Sequence, residues 1–199
     1  MAIFILEGAT FQQTRVDVDY SYYLGPDYKR TQKLPKRAPT VVSNHVSWMD
    51  SLIIEYSDLS PAFAAKVEAT KIWCLNIIIT GIRGIFISRG GTEEERKANI
   101  DQIIDRQKMV LDYPETPALC VYPEGTQTNG TAILNFKKGA FVGMMPCTPT
   151  FISYNYGKGG VSLDWASISF VVHAMMSVCS FKPMKAEIQI LSDFVPNEY

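Results

Sequence analysis

The chain has few histidines and few cysteines, and both shortages limit what it can do. Its 199 residues include 4 cysteines, none in a CxxC pair, and only 2 histidines. We expect no metal site, because four zinc ligands are hard to assemble from so few donors. The cysteines are dispersed and two fall in apolar segments, so we interpret them as buried free thiols in a reducing compartment.

Long apolar runs are also missing. No stretch reaches the roughly 20 apolar residues that a membrane-spanning helix needs, and the apolar segment 1–7 is too short for a signal peptide. The segment that comes nearest to such a helix, 165–181, is uncharged but is interrupted by serines and a histidine. It fits a buried core helix, or a helix lying in a membrane interface with Trp165 and Phe181 near its ends. The sequence leaves both interpretations open.

Neither sign of charge dominates. With 19 basic and 20 acidic residues the net charge is −1, so no global basic field is present to collect nucleic acid or anionic lipid. Any phosphate binding must therefore be local. The composition, 47% hydrophobic and 20% charged, is that of a globular domain long enough to bury a core.

After residue 39, short β-rich runs alternate with helical ones. The alternation predicts an α/β fold: a single domain with a mostly parallel central sheet flanked by helices. Residues 1–39 are interpreted as an N-terminal arm and residues 40–199 as the domain. The predicted strands are Thr40–Ser43, Ala62–Lys66, Gly84–Ser88, Ala118–Tyr122, Thr148–Tyr156 and Ala186–Leu191. The predicted helices are Trp48–Tyr56, Ile72–Thr80, Thr92–Tyr113, Lys137–Met144 and Trp165–Ser180.

One of the two histidines lies where the first of these strands passes into a helix. His45 follows the run Thr40–Ser43, and Asp50 comes five residues later. A carboxylate within reach of an imidazole is the chemistry of a general base with its orienting partner. Ser47 and Asp50 also have the spacing of a capping box, so Asp50 could simply cap the helix. The two roles are compatible, since a helix N-terminus favours the neutral imidazole that a base requires.

Two other strand ends carry groups suited to a phosphate. Arg89 ends the strand Gly84–Ser88, at the kind of sheet edge where ligands bind in α/β proteins. Glu124, Gly125 and Thr126 follow the strand Ala118–Tyr122; a glycine permits close backbone approach and a threonine can donate to an oxygen. The plainer alternatives are a surface arginine and an ordinary turn.

In order and spacing, four segments resemble the four motifs of the glycerolipid acyltransferase family. They are 44–50 (NH-x4-D), 84–89 (GIFISR), 122–126 (YPEGT) and the proline-bearing 145–151. The similarity is greatest with the lysophosphatidylcholine and lysophosphatidylethanolamine acyltransferase branch, which segments 18–27 and 126–141 also resemble. Many family members have arginine directly after the PEGT block, where this chain has Gln127.

The resemblance implies transfer of a fatty acyl group from acyl-CoA to the free hydroxyl of a lysophospholipid. By position, His45 would be the general base and Asp50 would hold its ring. Arg89, Glu124, Gly125 and Thr126 would form the acceptor-phosphate site, with Lys66 as a second cation. No cofactor is expected besides acyl-CoA as co-substrate. No covalent enzyme intermediate is expected either, since a GxSxG nucleophile elbow is absent from the sequence.

The resemblance also implies attachment to a membrane surface, in the endoplasmic reticulum by family habit or at a mitochondrial membrane. No nucleic-acid partner is expected. The family's usual membrane anchor before the first motif is missing from this sequence, which fits either a trimmed form of a longer protein or attachment through a membrane-protein partner. The alternative function is a catalytically inactive acyltransferase-like subunit with a structural or lipid-binding role in a larger membrane assembly.

Overall fold

A computed structural model describes residues 10–31, 34–71, 73–88, 91–157, 162, 164, 168, 170–179 and 184–196. Within these ranges the fold is built on one sheet of seven strands. The strands are β1 (Thr10–Val16), β2 (Thr40–Ser43), β3 (Ala62–Lys66), β4 (Ile85–Ile87), β5 (Leu119–Val121), β6 (Cys147–Asn155) and β7 (Lys185–Leu191).

The strand order is β1-β7-β6-β2-β5-β3-β4. From β6 to β4 every neighbouring pair is parallel. β7 joins β6 in the antiparallel sense, and β1 lies parallel to β7. A mostly parallel central sheet, as predicted, is therefore confirmed.

Helices lie between the strands. They are α1 (Ser21–Leu24), α2 (Tyr28–Thr31), α3 (Asp50–Tyr56), α4 (Trp73–Gly81), α5 (Glu93–Asp112) and α6 (Phe170–Cys179), with 3-10 helices at Val67–Lys71 and Lys138–Ala140. α5 begins as its sequence predicts, because the Thr92 side chain accepts a hydrogen bond of 3.2 Å from the Glu95 amide.

All six predicted strands are present, and the structure adds β1, which the sequence analysis did not assign. β1 pairs with β7 over its whole length, from Thr10 opposite Lys185 to Val16 opposite Leu191. Its sequence, TFQQTRV, has no apolar run to mark it as a strand. The strand forms because β7 presents unpaired backbone groups at the edge of the sheet.

The predicted helix Lys137–Met144 is wrong, because only the 3-10 turn Lys138–Ala140 forms there. The segment lies against α5: a Cβ on Gly143 would come 2.6 Å from the Gln107 side-chain oxygen. Met144 then adopts a positive φ of 50°. Two glycines and this close approach favour a compact turn over a regular helix.

The core lies under the strand-to-helix connection that carries His45. On and before α3, the side chains of Met49, Ile53 and Ile54 are completely buried, and they pack with Val41 and Ile188 of the sheet. Each such burial contributes about 1.5–3 kcal/mol. The connection is thus fixed at its helical end by the best-packed part of the molecule.

Helices α4 and α6 each expose large apolar side chains. On α4, Trp73 and Ile77 are 76% and 63% exposed, and on α6, Val172 and Met175 are 48% and 62% exposed. The core-helix interpretation of 165–181 is therefore wrong for the part that the structure describes; Trp165 and Phe181 lie outside it. None of the described helices combines the length and apolar character needed to cross a membrane.

Candidate active site

The candidate residues that the structure describes lie at one edge of the sheet. Val42 of β2 is level with Val121 of β5, and Lys66 of β3 is level with Ile87 of β4. Because these strands are parallel, their carboxyl ends reach the same edge, where α/β proteins usually bind ligands. The segments that follow β2 and β5 contribute His45 and Glu124 at this edge.

His45 and Asp50 form the predicted pair. The imidazole Nδ1 lies 2.8 Å from the Asp50 Oδ2. The His45 side chain is 19% exposed, whereas that of Asp50 is 0% exposed. When Nδ1 donates to the carboxylate, the unprotonated nitrogen is Nε2, which is the tautomer that a general base requires.

Both oxygens of the Asp50 carboxylate accept hydrogen bonds. Its Oδ2 also accepts from the backbone amides of Val46 at 2.7 Å and Ser47 at 2.9 Å, and its Oδ1 accepts from the Tyr154 hydroxyl at 2.5 Å. These donors compensate for the loss of water around a buried carboxylate. The hydrogen bond from the Ser47 amide to Asp50 is one half of the predicted capping box. Asp50 therefore holds the turn and the imidazole together.

The Tyr122 ring packs against one face of the His45 ring, a contact that was not predicted from the sequence. The two rings stack at 4.0 Å between centroids, only 12° from parallel. The phenol oxygen lies 3.0 Å from the Ser51 Oγ. Burial raises the pKa of Tyr122 well above its usual value, so the phenol is neutral and the stack adds no charge beside the imidazole.

Glu124 holds the backbone of His45. The carboxylate is 4% exposed; it accepts from the His45 amide at 3.0 Å and from the Leu134 amide at 2.9 Å. The His45 carbonyl accepts in turn from the Thr128 amide at 2.9 Å. Both backbone polar groups of the histidine are thus bonded to the segment that follows β5.

A lysine lies across the glycine of the PEGT block. Gly125 has a φ of +70°, and a Cβ on it would come 2.6 Å from the Lys137 Nζ. Thr126 is exposed, and its hydroxyl makes only a long contact of 3.4 Å with the Gln127 carbonyl. Lys137 was not among the predicted site residues, although it lies in the 126–141 segment that carries part of the family resemblance.

The other two predicted cations have different standing. Lys66 is exposed and ends β3 at the same edge of the sheet. Arg89 lies outside the described residues. Just before it, the Ser88 amide donates to the Asn99 Oδ1 at 3.1 Å, and Asn99 also donates to the Ser88 carbonyl. Helix α5 therefore fixes the end of β4 from which Arg89 continues.

Comparison with known proteins gives a family match and several relatives. The family model described as "Acyltransferase" matches residues 26–157. The chain is 30% identical over 145 residues to lysophospholipid acyltransferase LPEAT1 of Arabidopsis thaliana, covering 73% of the chain and 36% of that protein. It is 26% identical over 165 residues to human lysophosphatidylcholine acyltransferase 2, covering 82% and 29%.

A solved structure is also similar. The 1-acyl-sn-glycerophosphate acyltransferase PlsC of Thermotoga maritima superposes with a TM-score of 0.49 at 20% identity, covering 94% of the chain and 63% of that protein. The chain spans about a third of the length of the curated relatives named above.

Proposed function

Because the chain belongs to the Acyltransferase family, we propose that it transfers a fatty acyl group from acyl-CoA to the free hydroxyl of a lysophospholipid. The four motifs predicted this family, and the match over residues 26–157 confirms it. Relatives named as lysophospholipid and lysophosphatidylcholine acyltransferases support the choice of acceptor. The acyl donor is proposed from the motif resemblance.

The observation that carries the proposal is the 2.8 Å contact between His45 Nδ1 and a fully buried Asp50. In the proposed reaction, Nε2 of His45 removes the proton of the acceptor hydroxyl while the oxygen attacks the thioester carbonyl. The new C–O bond forms, the C–S bond breaks, and the departing CoA sulfur takes the proton back from the imidazole. Such general-base assistance typically contributes a factor of about 10²–10⁴ in rate.

The acceptor phosphate is proposed to lie beside the PEGT block. Arg89, Lys66 and Lys137 would supply positive charge, and Thr126 a hydroxyl donor. The contact of Lys137 with Gly125 supports adding it to the set. Glu124 has both oxygens bonded to backbone amides, which supports a role for it in holding the His45 backbone beside this site.

The exposed apolar helices support a position at a membrane surface. The exposed side chains on α4 and α6 would lie in the lipid interface, where a helix with one apolar face is stable. A lysophospholipid acceptor and a long-chain acyl donor both reside there. Replacing Val172, Met175 and Met176 together by serine should reduce co-flotation of the protein with phosphatidylcholine vesicles.

Turnover tests the proposal directly. The protein is incubated with acyl-CoA and, separately, lysophosphatidylcholine, lysophosphatidylethanolamine or lysophosphatidate in detergent micelles, and free CoA thiol is followed. We expect release with at least one acceptor and a loss of at least about 100-fold in His45→Ala. His173→Gln, at the chain's other histidine, is the matched control. Bound lipid without turnover for any acceptor would favour the inactive acyltransferase-like subunit.

The phosphate site is tested by KM values. Arg89→Ala and Lys137→Met should raise the KM for the lysophospholipid severalfold while leaving the KM for acyl-CoA nearly unchanged. Equal changes in both constants would show that the two substrates are assigned to the wrong sides of the site.

A further inference from the structure

Tyr154 lies on β6, far along the chain from the candidate catalytic pair. Two residues before it, the Asn44 side chain bonds to both backbone groups of Ile152, donating to the carbonyl at 3.0 Å and accepting from the amide at 2.8 Å. These bonds fix the register of β6 against the segment that carries His45. Because side chains alternate along a strand, Tyr154 lies on the same face as Ile152.

This register brings the Tyr154 phenol to the Asp50 carboxylate. The hydroxyl donates to Oδ1 at 2.5 Å, while Oδ2 faces the His45 ring at 2.8 Å. One carboxylate oxygen therefore serves the tyrosine and the other serves the imidazole. Burial, and then the charge of Asp50, raise the pKa of Tyr154 well above its usual value, so the phenol keeps the proton that it donates.

We propose that Tyr154 is a positioning residue of the acyl-transfer reaction, which sets the orientation of the Asp50 carboxylate and its strength as a partner for His45. This inference rests on the proposed function. The phenol fixes the carboxylate rotation by holding Oδ1. It also draws negative charge toward Oδ1, which weakens the pull of Oδ2 on the imidazole proton.

The titratable groups around the pair come from three regions: β5 with the segment that follows it, β6, and α3. In the segment after β5, Glu124 is a second carboxylate, which accepts from the His45 amide at 3.0 Å. Cys120 on β5 and Tyr122 just after it have pKa values raised mainly by burial and further by neighbouring charges that include Asp50. β6 contributes Tyr154, and Tyr156 stacks on it at 5.9 Å. α3 contributes Asp50 itself. The thiol and the two phenols with raised pKa values stay neutral near pH 7, so Asp50 is the charge that they face.

Tyr154→Phe removes the hydroxyl and keeps the ring. Without its donor, Oδ1 retains more charge, the carboxylate stabilises a protonated imidazole more strongly, and a protonated imidazole cannot act as a base. We therefore expect the acidic limb of the kcat/KM pH profile to move to higher pH, with kcat/KM at pH 7 lower by about tenfold. Tyr156→Phe, which removes the 3.1 Å bond to Asp164, is the matched control and should leave the limb in place.

If the Tyr154–Asp50 hydrogen bond only holds β6 to α3, Tyr154→Phe should lower activity without moving the acidic limb of the pH profile. That result would overturn the proposal. A double-mutant cycle gives a second test. If Tyr154 acts through Asp50, its replacement by phenylalanine should cost less than about twofold in an Asp50→Asn background. The same tenfold loss in both backgrounds would contradict the proposal.

Two further measurements cover the remaining outcomes. Should Tyr154→Phe fail to fold, 3-fluorotyrosine at position 154, a stronger donor, should move the limb to lower pH; an unmoved limb counts against the proposal.

Should the wild-type protein show no turnover, the proposed function fails, but ring ¹⁵N NMR still tests the Tyr154 contact. The chain has 2 histidines, and His173→Gln assigns them. The His45 ring signals should change at higher pH in Tyr154→Phe, and unchanged signals would overturn the inference.

Discussion

Asp50 and Glu124 are two buried carboxylates at the same edge of the sheet, 0% and 4% exposed respectively, yet they bond to different kinds of partner. Asp50 contacts an imidazole and a phenol as well as two amides. Glu124 accepts from two backbone amides, those of His45 and Leu134.

The difference separates two ways of supporting one histidine. Asp50 reaches the ring, so it can select the tautomer and stabilise positive charge that develops on it. Glu124 reaches the main chain, so it determines where the histidine is held. Equal burial therefore does not imply an equal role in the chemistry, and variants of the two carboxylates should separate activity from stability.

The largest effect should come from Asp50→Asn. An asparagine can keep its oxygen toward the Val46 and Ser47 amides and donate its NH₂ to the Tyr154 oxygen, so the fold should persist. The negative charge beside the imidazole is lost, and kcat/KM should fall by about 10²–10³. Kinetics together with urea unfolding check this. If Asp50→Asn loses no more activity than Glu124→Gln, the two carboxylates do not differ in their contribution to activity.

Glu124→Gln should lower the stability of the protein more than its activity. A glutamine has one oxygen, so in either orientation one of the His45 and Leu134 amides faces an NH₂ donor. An unsatisfied buried donor costs about 1–3 kcal/mol, which should appear in the free energy of unfolding. Activity should fall by only about tenfold, because the Asp50–His45 contact stays. An unfolding free energy equal to that of the wild type would show that the hydrogen bonds from these two amides to Glu124 do not stabilise the turn.

Alkaline pH should destabilise the protein through the tyrosines near Asp50. Tyr122 and Tyr154 have pKa values well above 10.0 in the fold, first through burial and then through neighbouring charges that include Asp50. Once unfolded they ionise near 10, so the unfolded state binds fewer protons and stability falls as pH rises through that value. The slope is about 1.4 kcal/mol per pH unit for each group.

The pH at which this loss ends tests the comparison of the carboxylates. For each tyrosine the loss of stability ends at the pH where the phenol ionises in the folded state, and removing the Asp50 charge should lower that pH. Thermal unfolding from pH 8 upward should therefore level off at lower pH in Asp50→Asn than in Glu124→Gln, and levelling off at the same pH in both would mean that the Asp50 charge does not raise these pKa values.

The smallest effect should come from Gly125→Ala, for which Gly130→Ala is a matched control. Both glycines have a positive φ, +70° and +71°, so each change should cost about 1 kcal/mol of stability through backbone strain. The added methyl at 125 meets Lys137 Nζ at 2.6 Å, whereas at 130 it meets Val46 Cγ1 at 3.3 Å. Only Gly125→Ala should raise the KM for the acceptor, by about two- to fivefold if Lys137 binds its phosphate. Equal KM values in both variants would exclude that role.

The sequence by itself determined the parts of this protein that depend on neighbours along the chain. His45 and Asp50 are five residues apart, so one turn before a helix is enough to bring them together. Apolar runs likewise marked six of the strands, and the four motifs identified the family.

Tertiary structure decided the contacts between distant segments. Tyr154 reaches Asp50 across 104 positions and Glu124 reaches His45 across 79. Such contacts depend on strand order and register, which no local pattern encodes. β1 forms for the same reason: a polar segment becomes a strand only where a neighbouring edge offers hydrogen bonds. Local spacing thus determined the His45–Asp50 pair, and the register of the sheet determined which distant groups hold it.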